Sequence, residues 1–341
     1  RAFKKSKLMP QEDNNLVQLQ TEKTEIEEKK QHELENNLCG FVNIVNDRKF
    51  KFELSKFLHG DSGKEVYPVK KDAPSYFAMK QLQHNINKTF KVKQSNRYLI
   101  TRQVQLLLKD NYPKIVIRTD IESFYESVSQ SKLLDLINDN QLLSPKSKGL
   151  VKRLLYSYNE LTNQLLICEN ERKGIPRGAG VSAFLAELYM RNIDNKIKRL
   201  PNVSYYARYV DDLVVLFMKD SKTEEVTCKK EIKKIVNEYC LTLNEKKTET
   251  FDLSKSNPHK INILGYEFLI KENKYNGTYL SQNKKEKYLL RISKSIDDYL
   301  SLKKYFEKEA TKLLIHRFNY LTKNTRLHKP KRGLLIRRLI T

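Results

Sequence analysis

The stretch Val203 to Phe217, VSYYARYVDDLVVLF, constrains this chain more than any other. Apolar residues run up to Asp211 and Asp212 and resume directly after them, so it reads as two short strands at a tight turn, with aspartate supplying the turn chemistry. Two adjacent carboxylates then stand at a hairpin tip. Like charges pressed together are unfavourable without a cation, and Mg²⁺, a hard ion that takes oxygen ligands, suits the place. A solvated acidic turn fits the same residues, so the pair gains chemical meaning only from what the rest of the chain sets beside it.

Pro113 introduces IVIRTDIESFYESV, where the β-branched run Ile115, Val116, Ile117 predicts a buried strand that delivers Asp120 at its C-terminal end. Open sheets commonly place chemistry there. Ser129 to Asn140 and Pro145 to Cys168 read as helices with leucine-rich core stripes. In KGIPRGAGVSAFLAEL, Gly174, Pro176, Gly178 and Gly180 mark a loop, and Ser182 is placed to cap a helix running to about Leu200. Such a loop lets backbone approach an anion at the helix N-terminus, although alone it is weak evidence. Ser221 with Glu224 suggests a capping box for a helix to about Cys240. LTLNEKKTETF follows, then INILGYEFLI as one strand with a glycine inside it, and Lys284 to Tyr320 is helical in pattern and basic.

Charge adds a second constraint. The 341 residues suit two or three subdomains, and 65 Lys and Arg against 41 Asp and Glu leave a net charge of +24. That excess predicts a polyanionic partner, nucleic acid first, with a solvated lysine-rich surface as the alternative. In the segment from Tyr76 to Asp110, Lys80, Lys88, Lys91, Lys93, Arg97 and Arg102 interleave with Phe90 and Tyr98, either a wall for phosphates or the wet face of a helix. Asn14 to Asn37 reads as an exposed helix or arm, HGDSGK lacks the full phosphate-loop pattern, and LTKNTRLHKPKRG is a basic loop. The four cysteines, Cys39, Cys168, Cys228 and Cys240, have no paired spacing and read as reduced core thiols of a cytoplasmic protein. No apolar run is long enough to span a bilayer, so no membrane partner is expected.

Nucleotidyl transfer with two metal ions needs carboxylates from neighbouring strands, because both ions touch the same phosphate. Asp120 and Asp211 meet that need only if the fold sets the strand end beside the hairpin. Five segments occur in a telling order: IRTDIESFY, GIPRGAGVS, YVDD, LNEKKT and ILGYEF. From about Arg97 to Phe268 the arrangement resembles the reverse transcriptase palm.

The resemblance implies an α+β right-hand polymerase: an arm over 1–38, fingers over 39–112, a palm over 113–270 with fingers helices interleaved at about 129–173, and a helical thumb-like or α-repeat region over 271–341. It implies metal binding, to two Mg²⁺ with Mn²⁺ as substitute, by Asp120, Ile121, Asp211 and Asp212, with Asp120 and Asp211 the principal ligands and Asp212 assisting. Tyr125 matches the steric gate against a ribose 2′-hydroxyl, with Phe124 beside it, and Arg177 and Gly178 stand where the family reads LPQG. Arg177 in place of the usual glutamine favours phosphate over an amide hydrogen bond. Lys247 matches a lysine that offsets charge on pyrophosphate, Arg97 and Arg102 are candidate triphosphate contacts, and Gly265 and Tyr266 match the primer grip.

The form RG-x-x-x-S-x-x-LAEL from Arg177 to Leu188, with DIESFYESV and NTRL, resembles the defence-associated, abortive-infection bacterial reverse transcriptases, with their type 3 two-polymerase systems a closer comparison. That resemblance implies a cytoplasmic bacterial enzyme in antiphage defence that uses dNTPs and an RNA template or DNA product. It further implies a partner non-coding RNA, or untemplated protein-primed synthesis, a second defence protein and a homo- or hetero-oligomer. A retron or intron-type enzyme, and a catalytically silent nucleic-acid-binding scaffold, are the alternatives.

Overall fold

A computed structural model describes residues 10–60, 63–110, 112–139, 142–220 and 223–323, with backbone alone for 10–23, 59 and 322–323. Ser221, the residues of NTRL and most of the final basic loop, and Asp61 and Ser62 of HGDSGK lie outside the described residues.

In chain order, helix α1 spans Pro10–Asn46, strands β1 and β2 span Phe57–His59 and Lys64–Val66, and helices α2 and α3 span Ala73–Phe90 and Arg97–Lys109. Strand β3 (Lys114–Asp120) precedes α4 (Phe124–Ser127), α5 (Gln130–Asn138), α6 (Pro145–Leu161) and α7 (Ser182–Lys198). The hairpin β4 (Val203–Tyr209) and β5 (Asp212–Met218) leads into α8 (Glu225–Glu238) and β6 (Glu249–Asp252). Strands β7 (His259–Ile263), β8 (Tyr266–Lys271) and β9 (Lys274–Leu280) and helices α9 (Gln282–Lys303) and α10 (Glu307–Lys323) complete the described chain.

Two compact units result. The first holds residues 1–89, 140–167 and 176–182. In it α1 continues nine residues beyond the expected Asn37, to Asn46, and its side chains from Thr24 onward are mostly exposed. Phe41 stacks on Phe77, and Arg153 donates to the Val45 carbonyl at 2.9 Å. Helix α6 stops at Leu161, short of the expected Cys168, because Asn163 adopts a left-handed φ of 56°, which ends the helical backbone.

The second unit holds residues 90–139, 168–175 and 183–341. Its four-stranded sheet has the order β4-β5-β3-β6 and its three-stranded sheet the order β7-β8-β9, all pairings antiparallel. Ile115, Val116 and Ile117 are buried, as a β-branched run between two partner strands should be. Ile100, Val104 and Leu108, spaced four apart on α3, pack with Val116, Val214 and Leu216 of one sheet and Ile261, Ile263, Phe268 and Ile270 of the other. One apolar helix face thus cements both sheets. The mixture of helices and antiparallel sheets is of the expected α+β class.

Several expectations change. INILGYEFLI is two strands, not one, because Leu264 and Gly265 take φ values of 51° and 79° and make a two-residue hairpin turn. The stretch 271–341 is not helical from its start, since β9 pairs with β8 before α9 begins at Gln282. Ser182 is the first residue of α7 and donates its hydroxyl to the Pro176 carbonyl at 2.7 Å, so it ties down the loop and does not cap the helix. Helix α8 has Glu224 at its N-cap position with no side-chain cap. Cys228 is buried, whereas Cys39, Cys168 and Cys240 are exposed free thiols, contrary to the expected core placement. Among the described residues no helix is long and apolar enough to cross a membrane.

Candidate active site

Strands β3 and β5 pair in a register that sets Asp120 directly opposite Asp212. Asp211 is the second residue of the two-residue turn joining β4 to β5, and its carbonyl accepts from the Ile121 amide at 3.1 Å. The fold therefore brings all three aspartates to one end of the sheet's central strands. The left-handed position in this turn falls to Val210, with φ 60°, where aspartate was expected to supply the turn chemistry. A β-branched residue there is strained by roughly 1–3 kcal/mol and persists only when its surroundings hold it.

Burial, then the neighbouring charges of Asp211 and Asp120, raise the pKa of Asp212, against the opposing pull of Arg118 and Arg97. Arg118 bridges the site, its guanidinium 3.3 Å from Glu249 and 4.0 Å from Asp212. Asp120 is buried, and its Oδ2 accepts from Lys247 Nζ at 2.7 Å, a bond that raises the lysine's pKa. Lys247 is held there by short-range ties: the Asn244 amide donates to the Asp120 carbonyl at 2.8 Å and the Thr119 and Thr248 hydroxyls meet at 2.7 Å. Crowded like charge makes a prediction. Because the folded pKa of Asp212 lies above its unfolded value, its ionisation costs stability that is absent below the unfolded pKa and is incurred as pH rises through the folded pKa. Asp212→Asn should therefore raise the melting temperature at pH 7 without divalent cation, with the gain vanishing toward pH 3 to 4, as read by thermal melts across pH.

Among the described residues no group of three or more His, Cys, Asp or Glu side chains forms a ready-made metal cage. Two facing carboxylates with a third beside them nevertheless fit Mg²⁺, which binds through one or two carboxylates and fills its shell with water and substrate phosphates. The Lys247 ammonium already marks a cation position beside Asp120. Ile121 has an apolar side chain only 1% exposed, so its main chain alone can serve a metal.

The remaining candidates divide by position. Phe124 is a core residue at 1% exposure, which removes it from direct nucleotide contact, while the half-buried Tyr125 packs edge-on to it and accepts at its carbonyl from the Ile175 amide at 2.8 Å. Arg177 and Gly178 belong to the first unit, where the Arg177 carbonyl accepts from the Tyr67 amide at 2.5 Å and Gly178 holds φ 93°, a conformation that demands glycine. Gly265 lines a cleft of about 560 Å³ with Arg97, Arg118, Lys284, Lys287 and Arg291, and with Glu267 as the acidic side chain among its described lining, whereas Tyr266 is buried and meets the cleft only through Lys284, which lies over its ring. Arg97 opens α3, where a positive charge opposes the helix dipole, and lies 5.2 Å from the Tyr209 ring centroid. Arg102 is exposed and does not line the cleft.

Sequence reasoning missed Arg118, Arg208 and Lys284. The first two carry a usable signal, an arginine inside an apolar strand run, because such a charge must find partners. Lys284 sits 3.8 Å from the Tyr266 ring centroid and burial pushes its pKa down to about 8. Nothing local in the sequence distinguishes it from neighbouring lysines.

The profile of the family "Reverse transcriptase (RNA-dependent DNA polymerase)" matches residues 69–268, more than half of the chain. The chain belongs to that family, whose domain is an RNA-directed DNA polymerase, a nucleotidyltransferase, and whose members generally use divalent metal ions. Apo telomerase from Candida tropicalis is similar in structure, with a TM-score of 0.50, 12% identity and coverage of 82% of this chain and 59% of that one. Telomerase from Candida albicans in complex with a TWJ fragment of telomeric RNA scores 0.46 at 11% identity, covering 84% and 57%. The chain thus spans less than two thirds of these telomerase chains, and the likeness to the apo Candida tropicalis structure speaks to fold alone. No curated protein matches it.

Proposed function

We propose that this chain is a divalent-cation-dependent DNA polymerase of reverse-transcriptase type that adds deoxynucleotides to a 3′ end. The observation that carries the proposal is the register pairing of Asp120 with Asp212 beside the Asp211 turn. Asp120 and Asp211 would hold two Mg²⁺ or Mn²⁺ ions, with Asp212 and the Ile121 main chain assisting. When bound, such ions activate a 3′-hydroxyl and stabilise charge on the phosphate and leaving pyrophosphate. Lys247 neutralises Asp120 in their absence and is positioned to meet anionic substrate as the ion pair opens. Tyr125 excludes a 2′-hydroxyl, so deoxynucleotides are favoured. For Arg177, Gly178 and Arg102 the support is the sequence likeness alone. The cationic cleft lined by Gly265, Arg97 and Lys284, the last seated over the Tyr266 ring, suits a nucleic-acid backbone.

The same reading extends to bacterial antiphage defence in the cytoplasm. Synthesis there is templated by a partner non-coding RNA or is untemplated and protein-primed, with a second defence protein or further copies of the chain as partners. What supports this finer assignment is the RG-x-x-x-S-x-x-LAEL form of residues 177–188. The test supplies purified protein with dNTPs, Mg²⁺ and either an RNA template with a DNA primer or whatever nucleic acid co-purifies, whose sequence separates templated from untemplated products. Labelled DNA from the wild type and none from Asp211→Ala is expected. Equal product from both, or none from the wild type under either condition, overturns the proposal.

Lys284 gives a pH signature. Its charge is lost as pH rises through about 8, so nucleic-acid binding should weaken between pH 7 and 9. The logarithmic salt dependence should fall by at most roughly one over that range, and Lys284→Met should remove the change, as read by fluorescence anisotropy.

A further inference from the structure

The side chain of Arg208 is 4% exposed, inside a strand whose neighbours are apolar. It donates Nε–H to Asp194 Oδ1 and Nη2–H to Asp194 Oδ2, both at 2.9 Å. It donates also to Glu187 Oε1 at 3.1 Å and Oε2 at 2.6 Å. Its fifth N–H goes from Nη1 to the carbonyl of Val210 at 2.9 Å. All five donors of a guanidinium are then satisfied, which leaves the fork a single orientation. Glu187 and Asp194 lie seven residues apart on α7, two turns along one face, so one rigid helix aims the group. Tyr206 donates to Asp194 Oδ1 at 2.7 Å from the other side.

A buried ion cluster is rarely the cheapest way to stabilise a core, so its geometry asks for a reason. Of the five bonds, four stay within the cluster and one leaves it, to the peptide oxygen of the residue that precedes Asp211. That residue is Val210, whose left-handed backbone must be held in place. We infer that Arg208, aimed by Glu187 and Asp194, is a positioning residue that holds the Val210-Asp211 turn and thereby sets how tightly the aspartates bind a divalent cation. The inference rests on the proposed metal-binding role of Asp211. Outer partners that orient metal ligands typically govern about 10- to 100-fold in affinity.

The test uses the full chain without nucleotide. Mn²⁺ binding is read by electron paramagnetic resonance, and exchange of the Ile121 amide, which donates to the Asp211 carbonyl, is read by hydrogen-exchange mass spectrometry. Arg208→Lys keeps the charge and loses the fork. It should bind Mn²⁺ about 10- to 100-fold more weakly and exchange Ile121 faster. Tyr206→Phe removes a bond to the same Asp194 without touching Val210 and should change neither reading. Folded Arg208→Lys with wild-type affinity and wild-type exchange overturns the inference, as does Tyr206→Phe matching its losses. If Asp211→Asn leaves Mn²⁺ binding intact, or the wild type binds none, the metal reading fails, and Ile121 exchange alone then decides on Arg208. Should Arg208→Lys not fold, Glu187→Gln frees one side of the fork, and its Mn²⁺ affinity and Ile121 exchange decide by the same criteria.

Discussion

Asp211→Ala is expected to abolish DNA synthesis while leaving the protein folded. The side chain stands at a turn and adds to the like charge that raises the pKa of Asp212, so its removal relieves repulsion in the metal-free state. On the proposed metal-binding role, its loss takes a principal ligand from the divalent-cation site. A drop of roughly 10³-fold or more in single-nucleotide incorporation is expected, about 4 kcal/mol of transition-state stabilisation. Thermal melts run beside the assay separate lost chemistry from lost fold. Residual activity within tenfold of the wild type would move the chemistry away from this turn.

Arg208→Met carries the largest expected cost in stability. It strands Glu187 and Asp194, which are 11% and 17% exposed, without their counter-ion. Breaking a buried cluster by deleting one partner costs about 3–5 kcal/mol, whereas replacing the whole cluster with neutral groups of similar size is often close to neutral. The triple variant Arg208→Met, Glu187→Gln, Asp194→Asn should therefore recover most of that loss in urea unfolding. It should not recover the turn, because nothing then donates to the Val210 carbonyl. Stability regained without tight metal binding separates the cluster's two roles.

Much of the site was legible because its signals are local. The apolar runs and β-branching around Asp120 and around Asp211-Asp212 predict strands from a few residues, and those strands form with Asp120 at a strand end. The five segments in order are enough to carry the family likeness, which the match over residues 69–268 establishes. Glycine misled once: within INILGYEFLI it marks a hairpin turn, since a positive φ at Leu264 and Gly265 is not readable from apolar pattern alone. Asn163 ended α6 for the same reason.

Local pattern alone tells which residues carry charge, which runs must be strands, and in what order the carboxylates arrive. Tertiary structure alone decided that Asp120 faces Asp212, that Lys247 lies on Asp120, and that Val210 rather than an aspartate bears the turn's strain. It also decided that Arg208 is bound from a helix and that Lys284 is desolvated against Tyr266. The physical reason is range. Strand and helix periodicity arise from neighbours a few residues apart, whereas register, desolvation and ion pairing depend on which distant segment packs against each side chain.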